Sequence, residues 1–355
     1  MNAPVHETYM RRCLQLAALG AGRVAPNPLV GAVLVHQGRI IGEGYHQQFG
    51  QAHAEVNCLA SVAPADRPLI PASTMYVSLE PCAHFGKTPP CADRLVTEKV
   101  AAVVVACRDP FAAVNGKGIE KMEQAGIPVT VGVLEAEAAW QNRRFFTWHT
   151  AHRPYVVLKW AQSADGWLGR AGQRTAISSP ASQRLVHRWR SEEAAILVGT
   201  NTALIDNPRL DVRHWPGPAP MRVLIDRHLR VPATHHLLDG SQPTLVLTAA
   251  PGPAGSAATY HPLPDGRTDV PALLQALYQQ GLQSVLIEGG GQLLQSFIQT
   301  GLWDEARVIT NQALQLGAGV PAPLPGLAAQ LHQHFETEAN EQVHIWRNTN
   351  PAAGR

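Results

Sequence analysis

Three observations predict an α/β protein of two domains. The chain has 355 residues, more than one hydrophobic core usually organises. Strand-like and helix-like segments alternate along it, which favours largely parallel sheets covered by helices. After residues 147–154 a fresh strand, "PYVVLKWAQ", restarts the pattern. The domains are therefore placed at residues 1–148 and 153–347.

In the first domain "ETYMRRCLQLAALG" repeats apolar residues at helical spacing, and "VGAVLVHQGRIIGEGY" reads as two strands joined by a polar turn at Gln37 and Gly38. A helix at "HAEVNCLASV", a strand at "TMYVSLE", a loop "PCAHFGKTPPC", a helix from about Ala92 and a strand at "VAAVVVAC" follow. Helical segments around "GIEKMEQAG" and "EAEAAWQNRRFFTWH" close the domain. In the second domain "AAILVG", "MRVLID", "TLVLTA" and "SVLIEG" read as further strands, mostly with helical connections. The Pro- and Gly-rich "HWPGPAP" and "APGPAGSA" are loops, and "NTNPAAGR" reads as a frayed tail.

Hydrophobic residues make up 45% and charged residues 16%, the balance of a folded domain rather than a disordered segment. A formal net charge of +2 supplies no strong field for nucleic acid or an anionic membrane, and no basic stripe interleaved with aromatics is evident. The opening "MNAPVHETYMRRCLQLAALGAG" has a short apolar run broken by Arg11, Arg12 and Gln15, unlike a signal peptide or membrane span. A cytoplasmic location with no membrane partner is expected. Five cysteines, an odd and sparse count, argue against a disulfide framework. Cys13, Cys58 and Cys107 lie in apolar runs and are expected as small buried hydrophobes, which leaves Cys82 and Cys91 as thiols for chemistry.

His53 opens a helix, Glu55 stands two residues on, Cys82 follows Pro81, and Cys91 starts another helix. Zinc accepts one imidazole and two thiolates as ligands, and three ligands leave a fourth position for water. Bound zinc brings the pKa of water towards about 7, and a carboxylate that is not a ligand can pass a proton from it to a leaving amine. Glu55 is the candidate for that role. A closed structural site with His84 as fourth ligand is the other reading, although such a site has no use for Glu55 and usually shows tighter Cys pairs.

Zinc deaminases of nucleobases carry His-x-Glu followed by Pro-Cys-x-x-Cys. "HAE" and "EPC" match, but eight residues separate Cys82 from Cys91. This long spacer, with "PNPLVGAVLV", "GEGYH" and "HAEV", resembles the bifunctional deaminase–reductase family of riboflavin biosynthesis. The resemblance implies a cytidine-deaminase-like αβα sandwich in the first domain. It also implies zinc-dependent hydrolytic deamination of a small phosphorylated pyrimidine, 2,5-diamino-6-ribosylamino-4(3H)-pyrimidinone 5′-phosphate. Asn27, His46 and Lys87 are substrate-binding candidates, with His84 and Thr88 beside them; each is equally the kind of residue that caps a loop or faces solvent.

Further along, "VLIEGGGQLL" ends a strand and runs into an apolar helix, so that its glycines let backbone N–H groups approach a phosphate at a helix N-terminus. This is not a GxGxxG pattern, and a tight turn with no ligand would use the same glycines. Its setting adds to it. "PYVVLKWAQSADGWLG", "ISSPASQRLVHRWRSEEAAILVGTNTALIDNPRLDVR" and "VLIEGGGQLLQSFIQTGLWDE" resemble the reductase half of the same family. That likeness implies a dihydrofolate-reductase-like domain in which NADPH reduces the ribosyl group of 5-amino-6-(5-phosphoribosylamino)uracil to ribityl, the protein positioning the cofactor's hydride. Ala161, Thr202, Asp206 and the turn Gly290, Gly291, Gln292, Leu293, Leu294 and Gln295 fall where the family contacts the cofactor. Arg190, Leu210, Arg213 and Glu288 fall where it contacts the substrate, the two arginines suiting a phosphate.

Two departures stand out. "GQRTAISSP" places Arg174 and Ala176 where relatives carry a Ser and a Trp, leaving Trp160 or Trp167 to supply an aromatic wall. Arg227 stands where relatives often have a small hydroxyl residue. These changes leave open a deaminase with a catalytically degenerate second domain, and the zinc motif by itself also admits a nucleic-acid base deaminase. The expectation is a two-step enzyme with one zinc per deaminase domain and NADPH in the other, assembled as a homo-oligomer and binding no nucleic acid.

Overall fold

In a computed structural model of the chain, residues 3–85, 89–263, 266–326 and 328–349 are described. The chain divides into two units, Met1–Thr150 and Ala151–Arg355, each with its own hydrophobic core. The first runs α1 (Ala3–Ala18), β1 (Gly31–His36), β2 (Arg39–Tyr45), α2 (Ala54–Ala60), a 3-10 stretch (Pro64–Ala72), β3 (Thr74–Val77), α3 (Cys91–Glu98), β4 (Ala102–Val105), α4 (Lys117–Gln124), β5 (Val129–Val131), α5 (Glu135–Gln141) and α6 (Arg143–Ala151). Gln37 and Gly38 both take positive φ, 47° and 83°, as a tight two-residue hairpin turn requires.

That hairpin makes the sheet mixed rather than largely parallel. In the order β2-β1-β3-β4-β5, β1 is antiparallel to both β2 and β3, and only the pairs β3–β4 and β4–β5 are parallel. The chain reverses at the hairpin before its first helical crossover, a step that the alternation of segments did not reveal. Ala32 and Leu34 pack with α2 and α3 on one face, and Val33 and Val35 pack with α1 and α5 on the other, so the unit is an αβα sandwich. Cys13, Cys58 and Cys107 are buried in these layers, as small hydrophobes would be. The segment "EAEAAWQNRRFFTWH" forms two helices because Asn142 leaves helical geometry. Its side chain accepts from the Leu29 N–H at 2.7 Å and donates to the Leu29 carbonyl at 2.8 Å, pinning the loop before β1.

The second unit contains β6 (Tyr155–Ser163), β7 (Trp167–Gly169), α7 (Pro180–Ser191), β8 (Ala195–Gly199), α8 (Thr200–Asp206), β9 (Met221–Ile225), β10 (Thr244–Thr248) and β11 (Thr259–Pro262). It continues with α9 (Val270–Gln279), β12 (Ser284–Ile287), α10 (Gly291–Thr300), β13 (Glu305–Asn311), β14 (Val320–Pro321), β15 (Ala329–Glu336) and β16 (Glu341–Asn348). The main sheet has the order β11-β10-β9-β8-β12-β6-β13-β16-β15, parallel from β11 to β13. β16 and β15 add an antiparallel edge. The β10–β11 connection is the loop expected of "APGPAGSA", whereas the β9–β10 connection, residues 226–243, is a loop where the mostly helical pattern suggested a helix. At the start of α7, Ser179 caps the helix, and the buried Glu341 carboxylate accepts from the Ser179 N–H at 2.7 Å, from its hydroxyl at 2.6 Å and from the Ser182 hydroxyl. Among the described residues no helix is long and apolar enough to cross a membrane.

The first unit is built around close backbone approach. A Cβ on Gly44 would stand 2.2 Å from the Cys58 backbone nitrogen, so α2 rests directly on β2. Gly44→Val is therefore expected to destabilise this unit by about 2 kcal/mol or more, as overpacking against immovable backbone does. Thermal unfolding monitored by circular dichroism should show a lowered midpoint.

Candidate active sites

The candidate ligand residues of the first unit sit at element ends. His53 immediately precedes α2 in extended conformation, Cys82 follows β3 and Pro81, and Cys91 is the first residue of α3. His53 Nδ1 lies 3.6 Å from Cys82 Sγ and 3.4 Å from Cys91 Sγ, and one ligand atom from each of the three residues falls within 4.8 Å of the others. The Cys91 N–H donates to Cys82 Sγ at 3.3 Å, and the Ala92 N–H to the Cys82 carbonyl at 3.1 Å, so the start of α3 holds the Cys82 segment. Hydrogen bonds from Cys91 and from His53 draw the Cys82 thiol below the ordinary thiol range. One nitrogen and two sulfurs are a donor set that fits zinc with an open fourth position. His84 is exposed, edge-on to Phe111 with ring centroids 5.6 Å apart, and stands outside the three-residue cluster.

Glu55, in the first turn of α2, is buried beside the triad. Burial first, and the neighbouring Cys82 second, push its carboxyl up to about 7. His46 is also buried, its ring 5.2 Å from that of His53. The Ala52 carbonyl can only accept, so His46 Nδ1–H donates to it at 3.1 Å. His46 Nε2 then accepts from Asn27 Nδ2 at 3.1 Å, which leaves Asn27 Oδ1 to accept from something else. The structure thus brings Asn27 and His46 together beside His53, while Lys87 and Thr88 lie outside the described residues. The sequence reading overlooked Glu80, next to Pro81. Its buried carboxylate accepts from the N–H groups of Asp109, Gly116, Gly118 and Ile119 at 3.3, 2.9, 3.0 and 3.4 Å, fastening the loop behind Cys82. The acid of "EPC" was visible in the sequence, but nothing there names the distant N–H groups it serves.

In the second unit the chain leaves β12 through Glu288 and Gly289, and Gly290 has φ 60° before α10 begins. The Leu294 N–H bonds back to the Gly290 carbonyl, so the N–H groups of the three preceding residues have no helical acceptor. A Cβ would lie 3.0 Å from Val198 at Gly289, 3.3 Å from Thr202 Oγ1 at Gly290 and 3.1 Å from Leu168 at Gly291. This glycine turn forms one wall of a cavity of about 660 Å³. Ala161, Thr202, Asp206, Gly290, Gly291, Gln292, Leu293 and Leu294 line it, whereas Gln295 does not. A cradle of glycines with spare N–H donors fits the phosphates of a dinucleotide. Trp160 lines the cavity and Trp167 does not; Arg227 is exposed away from it, and Arg230 is on its wall.

Arg190 makes paired bonds to Glu288, each 2.8 Å long, and donates to the Asp211 carbonyl at 3.0 Å. Burial would raise the Glu288 carboxyl, but Arg190 and Lys159 outweigh it and hold the group below its ordinary range. Lys159 was not singled out in the sequence. It lines both the large cavity and a neighbouring one of about 240 Å³ that includes Arg190, Arg213, Arg174 and Ala176. Burial draws its ammonium down while Glu288 acts against that. Arg213 pairs with Asp211. The Leu210 side chain instead packs in the core with Ile196 and Leu224, its φ of 51° turning the chain towards Arg213.

A nitrogen–sulfur triad with a buried carboxylate in one unit, and a glycine-walled cavity beside an Arg–Glu pair in the other, define a zinc-dependent deaminase joined to a nicotinamide-dependent reductase. The family model for the cytidine and deoxycytidylate deaminase zinc-binding region matches residues 4–107, and that for the RibD C-terminal domain matches residues 154–343. The chain is 38% identical over 328 residues to riboflavin biosynthesis protein RibD of Aquifex aeolicus, an alignment spanning 89% of this chain and 91% of that protein. With RibD of Escherichia coli the identity is 36% over 340 residues, spanning 90% and 92%. The crystal structure of a diaminohydroxyphosphoribosylaminopyrimidine deaminase/5-amino-6-(5-phosphoribosylamino)uracil reductase from Thermotoga maritima superposes with a TM-score of 0.87 at 32% identity, covering 98% of this chain and 99% of that one. RibD from Acinetobacter baumannii gives 0.87 at 33%, covering 98% and 100%. The chain belongs to the RibD family of riboflavin biosynthesis proteins. It is accordingly a deaminase and a reductase in one chain, with zinc and NADPH as cofactors, and the alternatives raised from the sequence are not favoured.

The Gly290 geometry makes a specific demand on the cofactor site. Gly290→Val puts a β-branched side chain at φ 60° against Thr202, and is expected to weaken NADPH binding at least tenfold in a fluorescence titration. Deaminase turnover should be unchanged.

Proposed function

We propose that residues 1–148 deaminate the ring of 2,5-diamino-6-ribosylamino-4(3H)-pyrimidinone 5′-phosphate. Residues 153–347 then reduce the ribosyl group of the product, 5-amino-6-(5-phosphoribosylamino)uracil, with NADPH. His53, Cys82 and Cys91 would hold zinc, which when bound activates water near neutral pH. Glu55 is buried and not a ligand; its carboxylate takes the proton of the attacking water and returns it to the departing amine. Asn27 Oδ1, freed by the bond from Nδ2 to His46, accepts from an amino or ring N–H and orients the pyrimidine.

In the reductase, the N–H groups at the start of α10 receive the cofactor's phosphates, with Ala161, Thr202 and Asp206 on the facing walls. Arg190 is committed to Glu288 and fixes it; Glu288 and Lys159 hold the sugar end of the substrate, and Arg213 reaches its phosphate. We place the enzyme in the cytoplasm as a homo-oligomer acting on free nucleotides rather than nucleic acid, the last supported by a formal net charge of only +2.

The observation that carries the deaminase reading is the convergence of His53, Cys82 and Cys91 beside a buried, non-ligating Glu55. Glu55→Gln is expected to lower the deamination rate at least a hundredfold, a typical loss for a general acid–base group, with zinc content and NADPH oxidation unchanged. Deamination at the wild-type rate in this variant would overturn the assignment.

A further inference from the structure

The second unit holds more cationic side chains around its cavities than the reading above employs. A third cavity, of about 560 Å³, is walled by Arg174, Arg209, Arg213 and His236, and among the described residues Asp206 is the acid on its wall. Asp211 pairs with Arg213, and Asp239 stands 3.6 Å from His236. Among the described residues Arg174 and Arg209 make no hydrogen bond or ion pair. The cavities adjoin: Arg174, Thr175 and Arg213 also line the one of about 240 Å³ with Lys159 and Arg190, and Thr175 and Asp206 also line the glycine-walled one.

Guanidinium groups that face a cavity without acceptors are poised for an anion, and each can give paired bonds to phosphate oxygens. Arg174 and Arg209, both without a hydrogen bond or ion pair among the described residues, stand against the single carboxylate of Asp206, with Arg213 already paired to Asp211. The excess positive charge suits a dianion with several terminal oxygens better than a carboxylate or a neutral sugar. We propose that Arg174, together with Arg209, recognises the phosphate monoester of the reductase substrate and sets its preference over the dephosphorylated compound. The inference rests on the reading of Arg213 as the arm that reaches that phosphate. A phosphate monoester is also present as the 2′-phosphate of NADPH. The substrate is favoured because neither Arg174 nor Arg209 lines the glycine-walled cavity, whereas Arg174 lines the one that contains Arg190 and Lys159.

The test is calorimetric titration of the full, zinc-loaded chain with 5-amino-6-(5-phosphoribosylamino)uracil, without NADPH so that nothing turns over. Its dephosphorylated counterpart and NADPH are titrated separately. Arg174→Ala is expected to weaken binding of the phosphorylated compound roughly tenfold to hundredfold, the worth of a hydrogen bond to a charged group. Arg209→Ala should act in the same direction, and Arg174→Lys should recover part of the loss. Affinities for the dephosphorylated compound and for NADPH should stay within about twofold. Unchanged binding in Arg174→Ala and Arg209→Ala, with Arg213→Ala weakened, would overturn this inference and leave the Arg213 reading standing. Unchanged binding in all three removes the Arg213 reading and this inference with it. A loss confined to NADPH, or equal for both pyrimidines, also overturns it.

Discussion

The first unit depends on bringing one imidazole nitrogen and two thiol sulfurs, a potential metal-binding set, from three separate backbone segments to within 4.8 Å of one another. Side chains alone do not achieve this; the backbone does. Gly44 lets α2 settle on β2, which sets where His53 stands. The Cys91 and Ala92 N–H groups grip Cys82, and Glu80 ties the loop behind it through four backbone donors. A helix start is well suited to such ligands, because its spare N–H groups stabilise a thiolate. The same register puts Glu55 in the first turn of α2, buried but outside the three-residue cluster, where a proton carrier is useful.

The second unit uses a different device for a comparable end. Its parallel strands point their C-terminal ends at one region, where open α/β sheets receive ligands. Ala161 near the end of β6, the Gly199–Thr202 turn after β8 and the Glu288–Gly291 turn after β12 meet there. The Arg190–Glu288 pair is largely shielded from solvent, and the permanently charged guanidinium keeps the Glu288 carboxylate ionised. Lys159 gains from the same carboxylate. The result is a wall of fixed charge next to a cradle of uncharged backbone, suited to a polar sugar on one side and a dinucleotide on the other.

Much of this was legible in the chain because chemistry leaves spacing behind. His53, Glu55, Cys82 and Cys91 stand in a recognisable order, whereas "EGGG" between a strand and a helix also suits a tight turn with no ligand and drew its meaning from the segments around it. The hairpin at Gln37 and Gly38 was visible from turn chemistry, and a two-residue turn makes β1 and β2 antiparallel; that β3 also pairs antiparallel with β1 carries no local signal, since it depends on which strands meet. β15 escaped notice because nearly all its residues are exposed, and β13 because five consecutive buried residues leave no two-residue alternation. Residues that act by holding others, such as Glu80, Asn142, Lys159 and Glu341, carry no local signature. Their partners lie far away in sequence, and only the fold joins them.

The claim on which the account rests is that one imidazole and two thiolates hold a catalytic zinc ion. Zinc K-edge X-ray absorption on the purified, metal-replete chain measures this directly. The account predicts two sulfur neighbours at about 2.3 Å and two lighter ones at about 2.0–2.1 Å, one from His53 and one from solvent. A shell of four sulfurs, a shell with no sulfur, or no zinc retained at all would contradict it.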